Sequence, residues 1–164
     1  MNKKTIMLLL TILTVTACDI ESPYSGYAVY FTCDIGYPPF NQATGLGQFI
    51  TVRRKQGSTP SYEVTDTQGK KHVHQLTEME ARQQFQYGLG GLIIGTPSLQ
   101  DGSIWAYDLA CPNCDSQRHR LELDNIGRAK CHNCDTQFDL NLGKSSGLWY
   151  YRVSTAGTFV TIHN

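Results

Sequence analysis

Two short cysteine pairs carry the chemistry in this chain: Cys111-Pro112-Asn113-Cys114 and, sixteen residues further on, Cys131-His132-Asn133-Cys134. Both read C-x-N-C-D, so Asp115 and Asp135 repeat the flank twenty residues apart. Two residues between thiols let a tight turn present both sulfurs on one side. Two such turns facing each other complete a tetrahedral four-thiolate cage, with metal–sulfur distances near ~2.3 Å. Zinc is the expected occupant of Cys111, Cys114, Cys131 and Cys134, and iron is the alternative because it accepts the same four thiolates. Each turn calls for a positive φ just after its second cysteine, which Asp tolerates better than most side chains. Two disulfides are the competing use of these residues in an oxidising compartment, but they gain nothing from the matched turns.

Four thiolates around a divalent ion leave a local charge of roughly −2, which asks for donors and cations nearby. Backbone N–H groups are expected to do most of the neutralising. Arg118, His119, Arg120, Arg128, Lys130 and His132 fall in or beside the two turns and are either an outer shell or solvated loop charges.

The elements that must position these turns read mainly as strands. From residue 27 onward, short apolar runs and period-two alternation are bounded by Gly, Pro, Asn and Asp. The expected strands are 27–33, 48–54, 62–65, 92–95, 104–109, 120–123, 137–140, 148–153 and 158–162, with a hairpin turn over 154–157 joining the last two. Residues 76–87 form the exception. Thr77-x-x-Glu80 is a capping box, helix formers follow, and Gly88 suits a helix stop, so one short helix is expected there.

Around the cysteines the sequence resembles the cluster-binding region of Rieske iron–sulfur proteins. The stretch Ala106-Tyr107-Asp108-Leu109-Ala110-Cys111-Pro112 leads into the first pair, and Cys131 is followed by Phe138-Asp139-Leu140 with Gly143 three residues on. The likeness covers 104–162 and implies a Rieske-like antiparallel β sandwich. It departs at the ligands. Asn113 and Cys134 stand where that family has its two histidines, and these histidines are what raise a Rieske potential. The resemblance therefore implies a Rieske-like scaffold carrying a small zinc-ribbon or rubredoxin-like site within about 105–142. A [2Fe-2S] cluster or a single iron ion remains the alternative.

Residues 1–17 combine Lys3-Lys4, an apolar run over 6–15, and Thr16-Ala17 directly before Cys18. That run is too short to span ~30 Å of hydrocarbon and reads as a cleaved export signal. Val15-Thr16-Ala17-Cys18 resembles the bacterial lipoprotein box, which implies lipidation of Cys18 and a mature chain anchored to a membrane without crossing it. Residues 18–26 would be the tether, and 27–164 a single domain. The expected location is the bacterial cell envelope, facing the periplasm or the exterior, with an envelope protein as partner. The signal lacks a twin arginine, so the chain is expected to cross unfolded and take up its ion outside, which suits zinc better than a preassembled cluster.

The 164-residue length leaves room for one domain, and 40% hydrophobic content excludes a disordered chain. The formal charge is +0, and losing Lys3 and Lys4 with the signal takes it to −2. Nucleic acid is therefore not an expected partner. A closed four-thiolate shell leaves no open coordination position, and no nucleophile–base pair is evident, so the chain reads as a non-enzyme. A thiol oxidoreductase built on C-P-N-C would need an exposed, acidified thiol there. His72-Val73-His74 could place two imidazoles on one strand face but has no third ligand, so a polar strand edge is the better reading. The 88–91 glycine run lacks a following Gly-Lys-Ser/Thr and reads as a helix stop before a strand. Cys33, among Tyr30, Phe31 and Ile35, reads as a small buried hydrophobe, with a reactive or intermolecular thiol as the alternative. Leu148-Trp149-Tyr150-Tyr151 would send aromatics to both faces of a strand, one pair into the core.

Overall fold

A computed structural model describes residues 26–164. The proposed signal, Cys18 and most of the tether lie outside the described residues. Twelve strands run β1 (Val29–Asp34), β2 (Gln48–Lys55), β3 (Ser61–Thr65), β4 (Lys71–Gln75), β5 (Gln86–Tyr87), β6 (Leu92–Thr96), β7 (Trp105–Asp108), β8 (Leu121–Leu123), β9 (Arg128–Cys131), β10 (Gln137–Asp139), β11 (Tyr150–Ala156) and β12 (Phe159–His163). Nine form one antiparallel sheet in the order β4-β3-β2-β6-β7-β11-β12-β1-β5, and three form a second, β10-β9-β8. The fold is mainly β, as the alternation predicts.

The large sheet bends until its ends face one another. Phe31 on β1 meets Tyr62 on β3 edge-on with ring centroids 5.3 Å apart, although five strands separate β1 from β3 in the sheet. Between the two halves lies a first core built on Phe31, Ile50, Val52, Val64, Leu92, Ile94, Val160 and Ile162. The opposite faces of β2, β6, β7 and β11 carry Phe49, Ile93, Tyr107 and Tyr150 into a second core, against Leu121, Ala129, Phe138 and Leu140. This layering explains β6, whose five residues Leu-Ile-Ile-Gly-Thr are all buried: a strand covered on both faces needs an unbroken apolar run. It also explains why Tyr150 and Tyr151 are both buried. They point to opposite faces, and each face has a core.

The helix is shorter than its sequence suggests. Thr77 caps it, and the reciprocal Thr77–Glu80 box forms, but α1 covers only Glu78–Arg82. Gln84 at φ 53° breaks the helix and turns the chain so that Phe85 and Tyr87 return to the first core. Gly88 is therefore not a helix stop. A Cβ at that position would lie 2.1 Å from the Tyr151 hydroxyl, so close packing demands the glycine. The last hairpin also differs from expectation: β11 extends through Ala156, and the turn is Gly157-Thr158, with Gly157 at φ 62°. The nine expected strands are joined by three unexpected ones, β4, β5 and β9. No helix among the described residues is long and apolar enough to cross a membrane.

Candidate metal centre

The small sheet is a hairpin device that brings the two cysteine pairs together. Cys131 ends β9, and Leu121 on β8 pairs with it across the ladder. The first pair follows β7 and is tied to the start of β8 by the Ala110–Arg120 bridge and the Cys111 N–H donating to the His119 carbonyl at 2.9 Å. Within the first turn the Cys114 and Asp115 N–H groups both donate to the Cys111 carbonyl. The Cys131 N–H donates to the Thr136 carbonyl and closes the second turn. Asp115 at φ 43° and Asp135 at φ 55° take up the left-handed conformation expected after each pair.

All four Sγ atoms lie within 4.8 Å of one another. Cys111 and Cys134 are 3.6 Å apart, and Cys114 and Cys131 3.7 Å. A tetrahedron with metal–sulfur bonds of ~2.3 Å has sulfur–sulfur edges of about 3.8 Å. Both close contacts run between the pairs rather than within them, so the two turns interlock around one centre. These separations far exceed a disulfide bond of ~2.05 Å, and the four thiols are free.

The thiols sit in unlike surroundings. Cys111 and Cys131 are buried, Cys114 is half-buried and Cys134 is exposed. Burial pushes the Cys111 thiol up to about 12. The Thr136 hydroxyl, 3.3 Å from the Cys134 sulfur, and the Thr136 backbone N–H bring Cys134 down to about 6. The Asn133 amide donates to the Cys114 sulfur at 3.3 Å. The Asn133 amide is thus the side-chain donor to a sulfur, and the Thr136 hydroxyl lies against the Cys134 thiol.

Three of the six cationic candidates take other partners. Arg120 donates from Nε to the Gly90 carbonyl at 2.7 Å, Lys130 pairs with Asp135 at 3.2 Å, and His132 pairs with Glu122 at 2.6 Å. Among the described residues no hydrogen bond joins the Arg118, His119 or Arg128 side chain to a sulfur, and His119 Nδ1 is buried without a partner.

Asp108 is the anchor that sequence reading passes over. Its carboxylate is wholly buried. Oδ1 accepts from the Gly90 and Ala110 N–H groups at 3.0 and 2.7 Å, and Oδ2 from the Leu89 N–H at 2.8 Å and the Tyr151 hydroxyl at 2.5 Å. These four bonds pin the strand entering the first cysteine turn to both the glycine loop and β11. An Asp three residues before the first Cys, with Gly-rich and Tyr-containing segments elsewhere, is the only trace of this in the sequence.

The remaining candidates are structural. His72 and His74 lie on edge strand β4, where His72 pairs with Asp66 and His74 with Glu80, and His74 stacks on Tyr62. Cys33 is buried in the first core, and burial pushes its thiol up to about 12, which removes the reactive reading. Trp149 is half-buried against Tyr27, whose hydroxyl donates to Asp115 at 2.6 Å. No family model, curated protein or solved structure matches the chain.

Proposed function

We propose that the chain is a membrane-anchored lipoprotein whose Rieske-like β domain carries a structural four-cysteine zinc site and serves as a binding or assembly component of the bacterial cell envelope. One observation carries the metal reading: four free sulfurs from two interlocked turns, at edges of 3.6 and 3.7 Å that a tetrahedral ion would span. The donor set suits zinc, a borderline-soft ion that accepts four thiolates without demanding an open position. A closed shell gives rigidity rather than catalysis, so the site's work is to lock the β8–β10 hairpin onto the large sheet. The likeness around Phe138-Asp139-Leu140 supports the Rieske-like scaffold, and the 1–18 segment supports export and lipidation at Cys18.

Exposure of Cys134 favours a second reading, an electron carrier holding iron in the same cysteines, because a solvent-reaching ligand shortens the path to a redox partner. Elemental analysis of the full chain purified without added metal, read together with its visible spectrum, separates the two. A colourless protein with one zinc per chain is the expected result. Visible bands that bleach on reduction establish the carrier, and a metal-free, folded chain refutes both.

A further inference from the structure

Beyond the cysteine site, one groove of about 750 Å³ has a one-sided electrostatic character. It runs along the joint between the large sheet and the cysteine hairpin. Arg53, Arg54, Lys55 and Arg120 line it, and no Asp or Glu does. Only Arg53 is neutralised, by Glu63. Arg54, Lys55 and Arg120 form no ion pair among the described residues. In a domain whose charges otherwise balance, three unpaired cations around one concavity give it a positive field that favours an anion. The larger groove on the neighbouring face, by contrast, mixes Arg53, Lys71 and Arg120 with Asp66, Glu122 and Asp124 and has no such bias.

Two further features suit an anion. The 88–91 run forms one wall, where only Leu89 presents a side chain, and Arg120 is already oriented by its Nε bond to the Gly90 carbonyl. That bond leaves the outer guanidinium nitrogens to engage a ligand in the forked geometry that phosphate oxygens favour.

We infer that this groove binds a phosphate-bearing small molecule, gripped by Arg54, Lys55 and Arg120 against the 88–91 glycine wall. Arg120 belongs to the loop between the cysteine pairs, so the site is complete only when that loop is docked on the sheet. A soluble phosphate ester and a phospholipid headgroup share this chemistry, and the groove volume admits either.

The test is calorimetric titration of the full chain in neutral detergent at low salt, with pyrophosphate as the soluble probe and glycerophosphoglycerol as the headgroup probe. Saturable one-to-one binding of at least one probe is expected. Arg54→Gln and Arg120→Gln should each weaken it by about tenfold or more, the scale of one lost charge-assisted contact. Lys71→Gln, which removes an exposed cation outside the groove, should leave it unchanged. Tighter pyrophosphate binding marks a soluble ligand, and tighter diester binding marks a lipid source; either supports the site. Arg54 lies on an exposed strand surface, so its variant reports binding even if Arg120→Gln disturbs the loop. The proposal is overturned if neither probe saturates below roughly 5 mM, if a folded Arg54→Gln chain keeps full affinity, or if Lys71→Gln is equally damaging.

Discussion

Replacing Asp108 with Asn keeps the shape of the buried anchor and removes its charge. The carboxylate accepts four hydrogen bonds and donates none. An amide retains one acceptor oxygen. With that oxygen facing Gly90 and Ala110, the new NH2 group meets the Leu89 N–H donor to donor, while the Tyr151 hydroxyl can turn to accept. Stranding one backbone N–H costs about 1–3 kcal/mol, and exchanging charge-assisted bonds for neutral ones adds roughly 1 kcal/mol, for a total near 2–4 kcal/mol. For residues 26–164 the entropy of unfolding is about 0.29 kcal/mol/K, so the melting temperature should fall by roughly 7–14 °C. Because Ala110 adjoins Cys111, the loss should also loosen the first cysteine turn. The assay is a pair of measurements on wild type and Asp108→Asn: a calorimetric melt, and the rate at which a chromophoric chelator extracts the metal. A variant that melts within about 2 °C of wild type and releases metal no faster would refute the argument that Asp108 positions the site.

Two other perturbations address the cysteine centre directly. Stripping the metal with a strong chelator should lower the melting temperature by roughly 14 °C where the free ion had stood a thousandfold above its dissociation constant, about 4.1 kcal/mol; an unmoved melt argues that the cage carries no resident ion. In the metal-free chain, alkylation followed by mass mapping should modify Cys134 first and Cys111 last of the four at neutral pH, with the Cys134 rate half-maximal at about pH 6, and Thr136→Val should slow it. A thiol depressed from its ordinary value of 9.0 favours the folded metal-free chain fully above that value, and the contribution disappears as pH falls through about 6.

The cysteine centre was legible because its signal is local. Spacing fixes which thiols can converge, and the two aspartates mark the left-handed turns that follow each pair. The capping box likewise located the start of α1. Its end was hidden, because Phe85 and Tyr87 gain more by packing against Phe31 than the segment gains by continuing the helix. Strand β9 is silent in the sequence since Arg-Ala-Lys-Cys alternates faithfully but offers only Ala129 and Cys131 to the core, too little apolar mass to read as a strand. Edge strand β4 is polar along nearly its whole length, as edges tend to be. Asp108 was unreadable for another reason: its partners come from residues 89, 90, 110 and 151, and only folding puts them around one carboxylate.

The placement of β1 governs the order in which the molecule can assemble. Its long ladder is with β12, Tyr30 opposite His163 through Asp34 opposite Phe159, while β5 holds only two of its residues. The Asn164 side chain then clasps the opening of the ladder, accepting from the Val29 N–H and donating to the Tyr27 carbonyl. A polypeptide threading out of a pore with residue 29 in the lead would carry β1 as an almost unpaired ribbon until residues 159–164 arrived. In that order of emergence the β1–β12 ladder would close only with the last residues of the chain, leaving the edge of β1 open to mispairing until then.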